Sequence, residues 1–331
     1  MNIVKMLSKM FKIKYKRGCR VLRFYGITLW KTDLSKLKKE KYPKYLKEWY
    51  KIKTGNELDL DNPKTFNEKI QWLKLYDAHA IKTKLTDKYL VRSWVAETIG
   101  EEYLIPLLGV WDKFDDIDFD KLPDKFVLKC NHGCHYNIIV TDKSNLDIAD
   151  ARKKINKWMK ENYAFMEGFE MQYDKISRKI IAEEYIGNEK NNIADWKIWC
   201  FNGKAKYIQH LTDRDVGLKT AFFDTDWNKQ SFATSHLINT NEIEKPEQLK
   251  KMLELAEILS KEFKYVRADF YISPNQEIKF GEMTFTPRSG ICNWNEPDID
   301  RMFGEWIDLS KIDPKFLSKN AEISKTAMAA E

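Results

Sequence analysis

The stretch "VRADFYISPNQEIKFGEMTF" carries residue types that metal-assisted phosphoryl chemistry uses. Two apolar runs flank Ser273-Pro274-Asn275-Gln276, which reads as a hairpin loop. With that loop Ile272 faces Glu277, Arg267 lies opposite Glu282, and Asp269 lies one diagonal step from Glu282. Cross-strand partners share a face, so Arg267, Asp269, Glu282 and Thr284 point the same way. Two carboxylates with an arginine between them are costly unless a cation neutralises them. A hard divalent ion such as Mg²⁺ takes such an oxygen pair together with substrate phosphates. A surface salt bridge on a charged hairpin is the other reading of the same residues.

Three further stretches carry candidate chemistry. "KCNHGCHYN", Lys129 to Asn137, packs two cysteines and two histidines around Gly133. Cys130, His132, Cys134 and His135 are too crowded for one structural zinc, and no distant Cys or His pair completes a set. No ordered base is marked for a thiol nucleophile. A loop that meets a charged ligand, or a plain loop, remains. In "DWKIWCFNG", Asp195 and Lys197 alternate onto one face of an apolar strand, where a lysine is expensive unless it meets an anion. "IIAEEYIG" runs through Glu183, Glu184, Tyr185 and Ile186 to Gly187, and can offer backbone N–H and C=O groups to the edge of a flat base. In "FFDTDWN", Asp224 and Asp226 form an Asp-x-Asp that can hold a metal on a nucleotide-sugar diphosphate, which would make the protein a glycosyltransferase. Ordinary turn chemistry explains it equally.

The elements that must position these residues follow from periodicity and punctuation. "NPKTFNEKIQWLKLYD" reads as a helix with Asn62 as cap and Pro63 at the first position. "TKLTDKYLVRSWVAETIG" reads as one amphipathic helix stopped at Gly100. "DIADARKKINKWMKENYAFM" and "KPEQLKKMLELAEILSKEF" are further helices. "YLIPLLGVWD", "KFVLKC", "KIIAEEYIG", "DWKIWCFNGKAKYIQHL" and "KTAFFDTDWNK" read as strands, with an Asn202-Gly203 hairpin turn. The order is α/β or α+β, with antiparallel hairpins in the second half. There is no internal repeat and no low-complexity segment.

Composition excludes several classes. The chain has 331 residues, 43% of them hydrophobic and 32% charged, as a folded soluble protein does. No run approaches the roughly 18 apolar residues of a membrane helix. The start, "MNIVKMLSKMFKIKYKRGCR", is too basic throughout for a secretory signal. The odd count of five cysteines suits reduced thiols in the cytoplasm. Charge is uneven: residues 1–53 carry fourteen lysines and three arginines against Asp33, Glu40 and Glu48, a net +14 in a chain of +7. Met6, Leu7, Met10, Phe11 and Ile13 are interspersed with those cations. The head therefore suits an amphipathic helix on anionic lipid, peripheral to the inner face of a cell membrane, or a solvated helix packed on its own domain.

Taken in order, "FVLK", a glycine-containing loop, "IIAEEYIG", "DWKIWCFNG", "VRADFY" and "FGEMTFTP" resemble the ATP-grasp superfamily. Within it the sequence is similar to the TupA-like branch, which is associated with bacterial cell-surface polysaccharides. The resemblance runs from about residue 43 to 305, through "LVRSWVAETIGEEYLIPLLGVWD" to "TFTPRSG", and omits the basic head. It implies an α+β ATP-grasp fold with a basic head (1–53), a helical region (54–120) and an ATP-grasp domain (121–331). The subdomains that clasp ATP would be 121–186 and 187–310. It also implies that Lys129 and Lys197 contact phosphates and that backbone from Glu184 to Ile186 meets adenine. Glu183 or Asp195 would lie near the adenine or ribose, and Asp269, Glu282 and Thr284 would hold Mg²⁺. Arg267, Lys197 and His132 would be catalytic, with Gly133 and His132 forming a phosphate lid. The implied reaction joins an amine to a carboxylate sugar through an acyl phosphate, with no nucleic acid involved. Two departures stand out: Thr284 occupies a position where the superfamily commonly has Asn, and Arg288 one where glycine often follows the proline.

Overall fold

A computed structural model of the protein describes residues 11–187, 193–212, 219–234 and 238–312. Three antiparallel sheets organise it. The first is a meander, β1 (Phe11–Lys16), β2 (Cys19–Phe24) and β3 (Ile27–Asp33). The second has the order β4-β7-β5-β6, from Leu107–Trp111, Ile180–Glu184, Phe126–Cys130 and Asn137–Val140. The third has the order β10-β9-β8-β11-β12, from Lys219–Asp224, Lys204–Thr212, Asp195–Phe201, Tyr265–Ile272 and Ile278–Thr284. β4 is the strand expected in "YLIPLLGVWD"; it falls within residues 54–120, assigned to the helical region, and pairs with β7 in the second sheet.

The later part of the basic head, Tyr42–Thr54, is helical. Of the residues expected to form an amphipathic helix at its start, Phe11 and Ile13 lie in the β1 strand of the meander, while Met6, Leu7 and Met10 lie outside the described residues. The reason is visible in Phe11–Lys16, "FKIKYK", whose apolar and basic residues alternate with period two. Tight turns at Arg17-Gly18 and Tyr25-Gly26 close the hairpins, and Asn202-Gly203 closes β8–β9 as expected; all six residues have positive φ.

The helices are α1 (Tyr42–Thr54), α2 (Phe66–Tyr76), α3 (Ala80–Thr86), α4 (Val91–Thr98), α5 (Ile148–Trp158), α6 (Leu249–Ser260) and α7 (Asp298–Glu305). Thr65, not Asn62, caps α2, because Thr65 and Glu68 form a reciprocal capping box. The single helix expected across "TKLTDKYLVRSWVAETIG" breaks into α3 and α4. At the break the Asp87 carboxylate accepts the N–H groups of Tyr89 (2.8 Å) and Leu90 (3.1 Å), so the chain re-caps rather than continues.

The third sheet is buried on both faces. One face packs Ile198, Val266, Ala268 and Phe270 against α6 through Met252 and Leu255. The other packs Trp199, Phe201, Phe222 and Tyr265 against Phe66 of α2 and Phe303 of α7. Asp195, Lys197, Arg267 and Asp269 share the strand parity of that aromatic face, so one end of it is aromatic and the other charged. The second sheet rests on α5 through Ala151 and Ile155.

Candidate functional site

The β11–β12 register differs from the sequence expectation. Ile272 pairs with Ile278, Asp269 with Glu282, and Arg267 with Thr284. The ladder slips between Asp269 and Phe270, where Gly281 is the extra residue on β12. A side chain at Gly281 would sit 3.0 Å from the Asp269 carbonyl, so the bulge needs glycine for that close approach. The corrected register still places the four residues on one face, and it sets the two carboxylates directly opposite one another.

Asp269 lies at the centre. It is 1% exposed. Arg267 grips it with two bonds of 2.7 Å, one to each oxygen, and the Lys197 ammonium bonds Oδ2 as well. Asp195 lies 3.4 Å from the same ammonium. The inward lysine thus meets its anions, as a buried cation must. Burial would lower the Arg267 pKa, but Asp269 more than offsets it and drives it up. Glu282 is more open, with 34% of its side chain exposed. Its Oε1 accepts a bond from the Thr284 hydroxyl (3.0 Å), and Arg267 lies 3.6 Å away. Burial would raise the Glu282 carboxyl, yet Lys88, then Lys197 and Arg267, hold it down at about 2.

Lys88 was not singled out in the sequence. It sits in the α3–α4 break, donates to the Gly133 carbonyl (3.0 Å) and lies 3.8 Å from Glu282. One side chain therefore ties the β5–β6 loop of the second sheet to the acidic pair of the third. Asn131 secures the break by donating to Asp87 (2.9 Å), and its carbonyl accepts the Lys88 N–H (3.1 Å). Arg92 was also missed. It donates to Glu183 (2.8 Å) and to the Ile105 carbonyl (2.7 Å), while Lys129 ion-pairs with the other oxygen of Glu183. Read as one helix, Thr83–Gly100 gives no sign that Lys88 and Arg92 turn inward. Asp87, a cap residue in mid-pattern, was the available signal.

The remaining expected residues fall as follows. Glu184 donates its N–H to the Pro106 carbonyl (3.0 Å), and the chain leaves the sheet at Tyr185 and Ile186. Glu183 and Asp195 belong to different sheets and different ion-pair networks. Gly133 is buried beneath Tyr136 and Tyr163 and presents its carbonyl to Lys88. His132 is not a lid residue. It is 2% exposed, its Nε2 lies 3.0 Å from the Trp158 carbonyl, and burial pushes it down to about 4. It holds the loop to α5 as a neutral ring. Asp224 spends its carboxylate on a turn, accepting from the N–H of Asp226 (3.0 Å) and Asn228 (2.8 Å), so Asp224-x-Asp226 is a turn and not a metal motif. All five cysteines are free.

The segment after β12 is tightly prepared. Arg288 and Ser289 both adopt left-handed backbone, at φ 47 and 56. Lys74 and Gln71 donate to the Ser289 carbonyl (2.6 and 3.0 Å), and the Glu170 carboxylate bonds the Thr286 hydroxyl. Two consecutive non-glycine residues in that region are held by their surroundings, as positions beside a functional site often are. Arg288 itself is exposed. A cleft of about 850 Å³ between α2 and α7, lined by Lys64, Lys69, Trp72 and Arg301, contains none of these residues. Its lining joins none of the ion-pair networks described above.

His132 makes the acid limb testable. The fold accepts the neutral ring, so between its ordinary 6.5 and about 4 the unfolded chain binds a proton that the folded chain does not. Stability is complete above that window and falls as pH drops through it, by about 3 kcal/mol for this one group. Urea titrations across that pH range should therefore show a shallower loss in His132→Gln than in the natural protein. Equal slopes would remove the histidine from the account.

The Glu282 carboxylate and the Thr284 hydroxyl lie in contact, and Glu282 is held ionised. Asp269 lies directly across the ladder; its two oxygens are held by Arg267 and Lys197 and would have to be released in part to meet a cation. Among the described residues no group of three or more His, Cys, Asp and Glu side chains forms a metal nest. That donor set fits Mg²⁺, which binds through one or two carboxylates and completes its shell with water and phosphate oxygens.

A family model for TupA-like ATP-grasp proteins matches residues 68–308. Solved structures that match part of the chain include N5-carboxyaminoimidazole synthetase from Staphylococcus aureus, at 13% identity and TM-score 0.37, covering 60% of this chain and 44% of that one. D-alanine–D-alanine ligase from Bacillus anthracis complexed with ATP matches at 16% identity and TM-score 0.38, covering 61% and 55%. L-amino acid ligase from Bacillus licheniformis matches at 12% and TM-score 0.42, covering 68% and 50%. The chain spans about half the length of these structures. No curated protein matches the sequence.

Proposed function

The chain belongs to the TupA-like ATP-grasp family, and on that premise we propose that it is an ATP-dependent carboxylate–amine ligase. Its acceptor would be a uronic-acid unit of a bacterial cell-surface polysaccharide, and its donor an amino acid or other amine. The observation that carries the activity is the gathering of Lys88, Lys197 and Arg267, from the α3–α4 break and the third sheet, around the Asp269–Glu282 pair, with Lys129 held on the second sheet by Glu183. The acceptor class rests on the family alone.

The reaction has two steps. A carboxylate oxygen of the acceptor attacks the γ-phosphorus of ATP, the bond to the β-γ bridging oxygen breaks, and ADP leaves. The amine nitrogen then attacks the acyl carbon, phosphate leaves with the carbon–oxygen bonding pair, and the amine loses a proton to solvent. Mg²⁺ held by Asp269, Glu282 and Thr284 would neutralise phosphate charge. Lys88, Lys129 and Lys197 orient the phosphates by charge-assisted bonds, and Arg267 faces the oxygen on which charge develops. Backbone from Glu184 to Ile186 receives the adenine edge. Positioning and electrostatics supply most of such catalysis.

Lys88→Ala and Lys129→Ala are each expected to raise the ATP concentration needed for half-maximal turnover by about tenfold, the worth of one charge-assisted contact. The fold should survive Lys129→Ala, because Arg92 still neutralises Glu183. Unchanged ATP dependence in both variants would remove the lysines from the phosphate site.

The reaction class is tested with Mg·ATP and a panel of uronic acids and amino acids, following ADP. With an ¹⁸O-labelled carboxylate, the phosphate released should carry one labelled oxygen. ADP release that needs no carboxylate, or phosphate without label, would refute the acyl phosphate.

A further inference from the structure

Among the described residues, the β1–β3 meander is tied to the body by side-chain bonds at one end. There Tyr15 donates to the Tyr45 carbonyl (3.2 Å) and Arg20 pairs with Glu48 (2.8 Å), both on α1. At the other end no described residue covers the face that carries Tyr15. Phe11, Ile27 and Trp30 on that face are 44%, 68% and 65% exposed, and Tyr25 in the β2–β3 turn is 69% exposed. The registers Phe11↔Phe24, Phe24↔Ile27 and Leu22↔Trp30 put these side chains together. The opposite face carries Lys12, Lys14, Lys16, Arg23 and Lys31. Residues 11–33 hold four lysines and three arginines against Asp33, a net +6.

We propose that this outer end is a docking surface for an anionic lipid bilayer, entered by the β2–β3 tip. Tyr25, Ile27 and Trp30 would lie at the headgroup boundary, where aromatic rings with a polar handle are favoured. Lys12, Lys14 and Arg23 flank the tip at the depth of lipid phosphates and are drawn by the negative surface potential. The aliphatic Ile27 and Leu29 at the same end favour a bilayer over a soluble polyanion, which offers them nothing to enter. Among the described residues no helix is long and apolar enough to cross a membrane, so the contact is peripheral. The inference is independent of the ligase reading, since the tip shares no residue with the candidate site.

Sedimentation of the full chain with vesicles tests it. The protein should pellet with phosphatidylcholine vesicles containing phosphatidylglycerol, and far less with phosphatidylcholine alone; salt should weaken the binding without abolishing it. Tyr25→Asn with Trp30→Ser should lower partitioning tenfold or more at unchanged melting temperature, and Lys12→Glu with Lys14→Glu should erase the preference for the anionic lipid. The proposal is overturned if the natural chain stays in the supernatant, or if the tip variants bind as it does. It is also overturned if binding is lost only on deleting residues 1–10, which carry their own apolar residues and Lys5 and Lys9. Two further outcomes would do the same: dimerisation without lipid that the tip variants abolish, and heparin binding that ignores Tyr25 and Trp30.

Discussion

Glu282→Gln should lower ATP turnover by about a hundredfold or more while the melting temperature scarcely moves. The carboxylate is a third exposed, and its ion pairs with Lys88 and Arg267 are long, at 3.8 and 3.6 Å. Because a third of the carboxylate is open to water, solvent screens most of the attraction that lowers its pKa. Such pairs contribute about 1 kcal/mol to stability, unlike the shift of the buried His132. An amide oxygen can still accept the Thr284 hydroxyl. The charge that the substitution removes is the one that Mg²⁺ would use, and a hundredfold loss corresponds to about 2.7 kcal/mol of transition-state stabilisation. Steady-state ADP formation, with circular dichroism as the control for folding, reads both halves. Near-normal turnover would remove Glu282 from the metal site.

Asp269→Asn should behave differently, although sequence alone treats the two acids as equivalent. Asp269 is enclosed by the Arg267 guanidinium and the Lys197 ammonium, with no solvent to take its place. Removing its charge leaves two buried cations with only Asp195, at 3.4 Å from Lys197, and the more open Glu282, at 3.6 Å from Arg267. Breaking a buried network in this way costs about 3–5 kcal/mol. The variant should therefore lose turnover and also unfold at markedly lower denaturant. A variant as stable as the natural protein would show that water reaches Asp269, and that the enclosed cluster is not closed in solution.

The contrast between these acids marks what the sequence made legible. Face-sharing followed from strand alternation, so Arg267, Asp269, Glu282 and Thr284 could be gathered before any coordinates. Which acid is enclosed could not be read, because that depends on Lys197 arriving from a neighbouring strand and on a one-residue bulge at Gly281. A glycine before the acid was the only local trace of the bulge. Lys88 was hidden for another reason. "TKLTDKYLVRSW" satisfies a helical period throughout, and the capping by Asp87 that breaks it is supported by Asn131, from the loop after β5, which binds the same carboxylate. The head failed at Phe11–Lys16 through choice of period. Lysine-rich segments suggest amphipathic helices, but "FKIKYK" alternates strictly, and two tight glycine turns follow it within fifteen residues. His132 failed through chemistry: a histidine beside a glycine in a loop looks like a phosphate ligand, whereas here burial keeps it neutral and turns it towards a backbone carbonyl.

The account stands on one nucleotide between the two large sheets, and calorimetric titration of the full chain with ATP in the presence and absence of Mg²⁺ measures that directly. We expect one ATP per chain, dependence on Mg²⁺, weakening of about tenfold in Lys88→Ala and Lys129→Ala, and no heat with UDP-glucose. Binding of the nucleotide sugar in place of ATP, or no Mg²⁺-dependent binding of ATP at all, would contradict it.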